Sequence, residues 1–383
     1  MAQAFNWFLT MWALARVATG QIVIFGGSED GYDPGGNRSK GFRNDLTEYP
    51  EARCLDGTLG AYYLRPGYGD GEKKFLLFHE GGGFCTSDDD CLARSYGYLG
   101  STRWDQYQTK LTHPFFNTHH EVNPLLHNWN FVYIRYCDGG YWSGTRTAPV
   151  AVGSGQVWYS GQHVLDAVVA DLHGKHQLGA ATDVVVAGCS AGGIHVFSHT
   201  DYLAGRMPSQ ARVVGFADSG FYLDKEMFTP LKDVIITRQQ GASTLSPTCR
   251  AANPEREWVC LVAGASAKFV ETPIFAWQSR YDMDQRGCEM TAECAKSTQC
   301  VEDYAGNMSA QVHAYLEARP KSGVFLDSCS RHCDGGVDTL PVSDDGALNM
   351  LQAFKEWYQG GRRIFEQQRG YPCPDCCAPM IGV

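Results

Sequence analysis

The sequence has little positive charge and no basic cluster. Its 32 lysine and arginine residues are outnumbered by 42 aspartate and glutamate residues, so the formal net charge is −10 at pH 7. No run of Lys and Arg with interleaved aromatic residues offsets this excess locally. Long-range electrostatics therefore oppose binding to nucleic acid and to anionic membrane surfaces, and we expect neither partner.

Long apolar runs are also missing after the N-terminus. The run at residues 5–15 is too short to span a bilayer, but it has the length of a signal-peptide core, and small residues follow it at 18–20. No Lys or Arg precedes the run and Arg16 follows it, so a buried N-terminal segment is the alternative. We expect residues 1–20 to be a signal peptide and the mature chain to have no stable membrane insertion.

Internal repeats, low-complexity linkers and clear domain boundaries are absent as well. Hydrophobic residues make up 44% of the chain and charged residues 19%, which leaves ample apolar surface for a compact core. We therefore expect residues 21–383 to form a single catalytic domain with a cysteine-rich C-terminal segment, and the protein to be a monomer.

Cysteine, in contrast, is abundant. The 15 cysteines cluster late in the chain, which is typical of disulfides formed in an oxidising compartment, and their odd number leaves at least one thiol free or paired with another chain. A zinc site at Cys373, Cys376 and Cys377 is the alternative, but no second paired-ligand motif with zinc-ribbon spacing accompanies it. Glycosylation sequons at Asn37 and Asn307 fit a secretory route. We expect a secreted glycoprotein of a cell wall or an extracellular matrix.

Short apolar runs alternate with helical patterns along the chain. Six runs have the length and composition of buried strands: 75–78, 131–134, 184–186, 213–216, 274–277 and 324–326. Apolar residues recur at helical spacing over 161–173, and a second helix is predicted over 347–357. Strands separated by helices predict an α/β fold with a mostly parallel central sheet and helices on both faces. The stretches 26–72 and 285–305 are predicted to be excursions from that sheet.

The residues Gly-Cys-Ser-Ala-Gly at 188–192 match the G-x-S-x-G pattern of a nucleophile elbow. They follow the predicted strand at 184–186 and precede a helical run at 194–203. A sharp strand-to-helix turn exposes the serine hydroxyl above the sheet, and the helix N-terminus favours negative charge beside it. Ser190 is therefore predicted to be a nucleophile, with a packing turn as the alternative, and Ala191 to supply one backbone donor of an oxyanion hole.

A glycine run follows another predicted strand, in His79-Glu-Gly-Gly-Gly-Phe84. Successive glycines let backbone N–H groups point into a site, as an oxyanion hole requires. A flexible surface loop is the alternative. The position after an early strand favours the second oxyanion donor.

A serine nucleophile needs a base and an orienting carboxylate, in the chain order Ser, Asp or Glu, His. Asp282 lies just beyond the predicted strand at 274–277, and His332 lies just beyond the one at 324–326. We predict that His332 is the base and that Asp282 orients it, with a surface position as the alternative for each.

Other histidines and one cysteine have competing interpretations. His195 and His199 stand four apart on the helix after the nucleophile, but the Glu of an H-E-x-x-H zinc motif is missing, so we expect them to pack in the core. Cys189 occupies the x of the elbow motif and is expected to be structural or buried. Four further histidines lack metal-ligand spacing and are expected to face solvent: His113, His119, His120 and His127.

Five segments occur in one order along most of the chain: 79–85 (HEGGGFC), 136–144 (YCDGGYWSG), 188–193 (GCSAGG), 327–333 (DSCSRHC) and, more weakly, 218–222 (DSGFY). In this order they resemble the pectin acetylesterase family, which also contains the Wnt-deacylating Notum carboxylesterases. Plant-type members usually have Trp at the position of Phe84, and Notum-type members have Trp at the position of Gly83. The chain therefore resembles the plant type more closely, although the cysteines after Asp282 and the Cys-Pro-Asp-Cys-Cys tail depart from the pattern.

The resemblance implies an α/β-hydrolase-like fold, a triad of Ser190, Asp282 and His332, and oxyanion donors at Gly82, Gly83 and Ala191. It implies a serine ester hydrolase that removes O-acetyl groups from a pectin-like polysaccharide through an acyl-enzyme, with no metal or organic cofactor. Two alternatives are a Notum-like enzyme that removes a fatty acyl group from a secreted protein, and a catalytically idle carbohydrate-binding protein.

Overall fold

The computed structural model describes residues 40–111, 113–333, 341–346, 348–374 and 376–377. Twelve strands lie in these ranges: β1 (Lys40–Asp45), β2 (Ala61–Arg65), β3 (Lys74–His79), β4 (Gln108–Lys110), β5 (Asn130–Ile134), β6 (Val150–Val152), β7 (Gly155–Val157), β8 (Asp183–Cys189), β9 (Arg212–Asp218), β10 (Ile274–Ser279), β11 (Gly323–Asp327) and β12 (Ile364–Glu366). Eight α-helices accompany them: α1 (Asp88–Ser95), α2 (Gly161–Lys175), α3 (Ala191–Ala204), α4 (Pro247–Ala252), α5 (Ala263–Ser266), α6 (Met283–Glu289), α7 (Thr298–Ala318) and α8 (Met350–Tyr358). A π-helical turn covers Lys232–Arg238.

Ten strands form one sheet in the order β12-β11-β10-β9-β8-β3-β5-β2-β1-β4. The seven strands from β12 to β5 are parallel to their neighbours, and β2, β1 and β4 add an antiparallel edge. The carboxyl ends of parallel strands lie at one edge of a sheet, where open α/β sheets bind their ligands. The loops after β3, β8, β9, β10 and β11 therefore meet at that edge.

Both faces of the sheet are covered by apolar side chains. On β3, Phe75 and Leu77 belong to one core, and Leu76 and Phe78 belong to the other, as the period of two in a strand requires. Helices α2, α3 and α7 pack on the first core, and α8 packs on the second. The predicted mostly parallel sheet with helices on both faces is confirmed, and each of the six predicted strands lies in it.

The expectation that residues 26–72 leave the sheet is wrong for the part that the structure describes. β1 and β2 lie in this stretch and pair with each other, and β2 also pairs with β5. β1 has the sequence KGFRND, with one fully buried position, so it lacks the apolar run that marks the central strands. An antiparallel strand needs few apolar residues when only one of its faces is covered.

Seven disulfides join 14 of the cysteines: Cys54–Cys137, Cys85–Cys91, Cys189–Cys333, Cys249–Cys260, Cys294–Cys300, Cys329–Cys377 and Cys373–Cys376. The remaining cysteine, Cys288, is an exposed free thiol. The expectation of a disulfide-rich chain with an unpaired thiol is confirmed. The three cysteines of the zinc alternative are all in disulfides, Cys373 with Cys376 and Cys377 with Cys329.

The predicted signal peptide at residues 1–20 and the sequon at Asn37 lie outside the described residues. Asn307 is exposed on α7. Within the described residues, no helix combines the length and the hydrophobicity that a membrane crossing requires.

Candidate active site

Ser190 lies at a sharp turn between β8 and α3, as the motif predicts. Its backbone has φ 57° and ψ −119°, a conformation that is strained for a residue with a side chain. The flanking glycines permit this turn, since a Cβ on Gly188 would lie 2.5 Å from the backbone of Gly192. The amide of Ser190 donates to the Asp218 carbonyl at 3.0 Å, and its carbonyl accepts from Ile194 at 2.8 Å. The backbone around the serine is therefore held on both sides.

Asp282 lies where β10 gives way to α6, and its side chain caps that helix. Its Oδ1 atom accepts from the amides of Asp284 and Gln285, both at 3.0 Å. The two oxygens of this fully buried carboxylate lie 2.9 and 3.0 Å from Nδ1 of His332. Asp282 thus has the position and the partners of a carboxylate that orients an imidazole.

Carboxylates surround His332 and change its protonation. Burial alone lowers the pKa of His332, but the hydrogen bond and the charge of Asp282, followed by the charges of Asp284 and Asp218, outweigh burial. The pKa of His332 is therefore raised above its ordinary value of 6.5. A base with a raised pKa is neutral, and able to accept a proton, only at correspondingly higher pH.

The loop that carries His332 is joined to the serine turn by bonds from its neighbours. Cys333 forms a disulfide with Cys189, the residue before Ser190. The amide of Cys333 donates to Ser219 Oγ at 2.9 Å, and Arg331 donates to Asp218 at 2.9 Å. The residues on either side of His332 are thus bound to the segment that also holds the Ser190 amide.

Among the described side chains, the hydroxyl of Ser190 and the ring of His332 do not form a direct hydrogen bond. The Tyr222 hydroxyl donates to Asp284 Oδ2 at 2.9 Å, and that oxygen lies 3.8 Å from Nε2 of His332. The Nε2 side of the ring therefore faces an aspartate in the resting structure.

The glycine loop after β3 lies against the serine turn. A Cβ on Gly81 would lie 2.8 Å from the Cys189 carbonyl and 3.2 Å from Ser190 Cβ. Gly82 has φ +152° and Gly83 has φ +65°, conformations that favour glycine. Within the described residues, no protein acceptor is bonded to the amides of Gly82, Gly83 or Ala191. Three N–H groups beside the serine are therefore available to an oxyanion.

Buried side chains hold the glycine loop in place. Glu80 forms an ion pair with Arg135 and accepts from the Tyr136 amide at 2.8 Å. The Tyr136 hydroxyl donates to the Gly83 carbonyl at 2.7 Å, and Arg94 donates to the Gly82 carbonyl at 2.6 Å. The carbonyls of Gly82 and Gly83 are thus bonded, whereas within the described residues their amides have no protein partner.

A cavity of about 240 Å³ opens beside Ser190 and Ala191. Its walls are mainly apolar and aromatic, with one acid, one arginine and one thiol: Gly83, Phe84, Arg94, Tyr141, Ile194, Tyr222, Met227, Phe228, Asp284 and Cys288. Phe84 stacks on Phe228 with ring centroids 6.1 Å apart. The cavity can therefore receive a small apolar group attached to a carbonyl at Ser190.

The helical pair His195 and His199 packs in the core, as expected. Their rings stack 4.3 Å apart, and His79 lies 4.0 Å from His195. Burial lowers the pKa of His79 to about 4 and that of His199 to about 3, so both are neutral at ordinary pH. These histidines belong to the packing behind the serine turn.

The expectation that His113 faces solvent is wrong. Its side chain is 8% exposed, and Nε2 lies 3.1 Å from Asp218 Oδ2. The ring is 4.8 Å from that of Phe78 on β3. His113 therefore belongs to the buried support of Asp218, which its Pro- and Asn-containing surroundings in the sequence do not indicate.

One group of potential metal ligands lies under the site, but it does not offer free thiolates. It consists of Cys189, Asp218 and Cys333. The two cysteines are bonded to each other, and Asp218 is bonded to Arg331 and His113. Cys189 is thus a structural cysteine, as expected.

Sequence reasoning missed two polar residues of the site, Tyr222 and Asp284. Tyr222 ends the weak segment 218–222, and Asp284 stands two residues after Asp282. These positions are the available sequence signals, but neither of them indicates a contact with Ser190 or His332.

Comparison with known proteins agrees with this geometry. The family described as Pectinacetylesterase matches residues 45–378. Pectin acetylesterase 4 of Arabidopsis thaliana is 27% identical over 98% of this chain and 99% of its own length. Palmitoleoyl-protein carboxylesterase NOTUM of Schmidtea mediterranea is 27% identical over 75% of this chain and 57% of its own length.

A solved structure supports the same relationship. The structure of the Wnt deacylase Notum from Drosophila has a TM-score of 0.71 with this chain, at 25% identity, and covers 88% of this chain and 100% of its own. It shares the mostly parallel central sheet, and the α/β-hydrolase-like fold is confirmed. The family match over residues 45–378 and the shared fold show that the chain is a carboxylic-ester hydrolase that belongs to the pectinacetylesterase family.

Proposed function

We propose that this esterase removes short acyl groups, acetyl above all, from the hydroxyls of a pectin-like polysaccharide. Ser190 is the nucleophile, His332 the base and Asp282 the carboxylate that orients the base. The observation that carries the assignment is the hydrogen bond from His332 to a buried carboxylate, on a loop whose next residue is disulfide-bonded to the neighbour of Ser190.

The reaction has two steps. In the first, Ser190 Oγ attacks the ester carbonyl while Nε2 of His332 takes the hydroxyl proton, and that proton then goes to the departing alcohol. In the second, water attacks the acyl-enzyme with the same base and frees the acid. The amides of Gly82, Gly83 and Ala191 hold the oxyanion of each step, at about 3–4 kcal/mol for each donor.

Among the described side chains no hydrogen bond joins Ser190 to His332, so a side-chain movement precedes the first step. Catalytic hydrogen bonds are often long or misaligned without substrate and tighten in the reacting complex. Rotation about one bond redirects a serine hydroxyl, and the disulfide keeps the two loops together.

The size of the cavity favours a short acyl group. In another protein, an engineered apolar cavity of about 150 Å³ holds benzene, which corresponds to roughly 25 Å³ for each carbon atom. On that scale the 240 Å³ beside Ser190 holds on the order of ten carbon atoms. A palmitoleoyl chain exceeds this volume, whereas an acetyl group fits with room for part of the sugar.

The test is an ester panel with the purified protein. We expect hydrolysis of acetylated pectin and of acetyl p-nitrophenyl ester, much slower hydrolysis of the palmitoleoyl ester, and loss of all these activities in Ser190→Ala. Preference for palmitoleoyl over acetyl would support the fatty-acyl alternative instead. Retained activity in a folded Ser190→Ala variant would refute the assignment of the nucleophile.

A fluorophosphonate probe separates the enzyme from an idle carbohydrate-binding protein. The probe labels an activated serine, so we expect labelling of the unaltered protein and none of Ser190→Ala. An unlabelled native protein that still binds pectin would favour the binding protein.

The protein is proposed to be secreted as a monomer, with residues 1–20 removed and 21–383 as the catalytic domain. Seven disulfides support an oxidising compartment. Sequencing the N-terminus of the protein from culture medium, together with its mass in solution, tests all three points.

A further inference from the structure

A tyrosine and an aspartate lie beside Nε2 of His332, whereas the triad carboxylate Asp282 binds Nδ1. The Tyr222 hydroxyl donates to Asp284 Oδ2 at 2.9 Å. Asp284 Oδ2 lies 3.8 Å from Nε2. Tyr222 and Asp284 both line the cavity beside Ser190.

Nε2 is the atom that must accept the proton of Ser190. A carboxylate 3.8 Å away stabilises the protonated ring, in which Nε2 carries a hydrogen and cannot act as a base. The Tyr222 hydroxyl donates to the same Asp284 oxygen and holds it in place. Asp284 thus opposes the neutral form of His332 that the reaction needs.

We propose that Asp284 is a positioning residue, held by Tyr222, that stabilises the protonated ring of His332 from its Nε2 side in the resting enzyme. This inference rests on the proposed function, because it takes Ser190 and His332 as the reacting pair. Neither Asp284 nor Tyr222 touches the reacting carbonyl in the mechanism above, so their effect on the reaction passes through the histidine.

Other charged and titratable groups around His332 already have bonding partners, which for Asp282 is Nδ1 of the ring itself. They come from the same loop, from the end of β9, from the segment before β5 and from α6: Arg331, Asp218, His113, Asp282 and Arg286. Asp284 differs, because its side chain is 48% exposed and Tyr222 is its one hydrogen-bond donor among the described residues. A substitution of Asp284 therefore removes a charge near Nε2 with the least disturbance of other contacts.

The pH dependence of kcat/KM tests the proposal. Activity requires neutral His332, so kcat/KM rises as pH passes upward through the pKa of this histidine. Asp284→Asn removes the charge near Nε2, and we expect the rising limb to move to lower pH by roughly half to one unit. Tyr222→Phe removes the donor that partly neutralises Asp284, so the limb should stay in place or move to higher pH.

Asp303→Asn is the matched control, because it removes one carboxylate charge on the exposed face of α7. It should leave the limb in place. A limb that moves no further in Asp284→Asn than in Asp303→Asn, or that moves to higher pH, overturns the proposal. Asp284→Ala repeats the test if Asp284→Asn does not fold.

A measurement without turnover separates this inference from the proposed function. In the Ser190→Ala background, the ring protons of His332 titrate by NMR, and Asp284→Asn should lower that midpoint by the same amount as it moves the limb. An unchanged midpoint refutes the positioning role even if the triad is correct. Activity that survives Ser190→Ala refutes the triad itself.

Discussion

The serine turn (residues 188–192) and the base loop (residues 328–333) carry the two reacting side chains, but different forces hold them. The serine turn is fixed by its own neighbours in sequence, since β8 enters it, α3 leaves it, and its two glycines allow the close approach. The base loop contains no helix or strand and is held by residues far away in sequence, through Cys189, Asp218 and Ser219. One half of the site is therefore built locally, and the other half depends on tertiary contacts.

Removing both reacting side chains is the strongest test of whether these two regions work as one unit. Ser190→Ala and His332→Ala should each lower kcat by about 10⁴-fold or more, and the double variant should be no worse than either single one, because each removal already abolishes the proton transfer. Kinetics of the three variants, with circular dichroism to verify folding, measure this. Losses that multiply in the double variant would show that the two side chains act independently.

Asp282→Asn tests the connection between the base loop and α6. The asparagine oxygen can still accept from the amides of Asp284 and Gln285, but its amide group then donates to Nδ1 and leaves the hydrogen on Nε2. We expect a loss of kcat of about 10³ to 10⁴-fold with the fold retained. Asp303→Asn serves again as the control. A loss below tenfold would mean that another group orients His332.

The same difference between local and tertiary determinants explains what the sequence predicts. The central parallel strands and the turn at Ser190 have local signals, namely apolar runs and a five-residue motif, and both are confirmed. Asp282 and His332 follow from chain order after late strands, and the structure brings them to 2.9 Å. Strand β1, in the antiparallel part of the sheet, has a weak apolar pattern and is missed.

Contacts that depend on packing carry no such signal. The Cys189–Cys333 pair spans 144 residues, and no spacing rule selects it from the possible pairings of 15 cysteines. Tyr222 and Asp284 reach the site because the loop after β9 and helix α6 converge at the same sheet edge. Their role depends on where side chains end in space, and the residue type alone does not indicate it.

Substitutions in the glycine loop, which lies beside the serine turn, should have a smaller effect on kcat. Gly82→Ala adds a Cβ that would lie 2.7 Å from Leu99 and 3.0 Å from Tyr136, at a φ that favours glycine, so the loop must shift. We expect kcat to fall about a hundredfold through the displaced oxyanion donor. In Gly83→Ala the nearest atom is 3.6 Å away, on Arg94, and the loss should be smaller.

Gly153→Ala is the control for backbone strain in this comparison. Gly153 also has positive φ, +54°, and no atom within 4 Å of the added Cβ, but it lies in the turn between β6 and β7. The Gly153→Ala substitution should lower the melting temperature slightly and leave kcat unchanged. If Gly83→Ala proved as harmful as Gly82→Ala, backbone strain rather than the contacts of the Cβ would set the loss.

The smallest expected effect concerns the disulfide between the two regions. Cys189→Ala with Cys333→Ala should cost about 2–4 kcal/mol of unfolding free energy, because the bond closes a long loop. The loss of kcat/KM should be about tenfold, since Arg331 and the Cys333 amide still hold the base loop. Cys294→Ala with Cys300→Ala removes a disulfide of separation 6 on another segment and should leave kcat/KM unchanged. Equal losses in the two double variants would mean that the Cys189–Cys333 bond stabilises the fold without positioning His332.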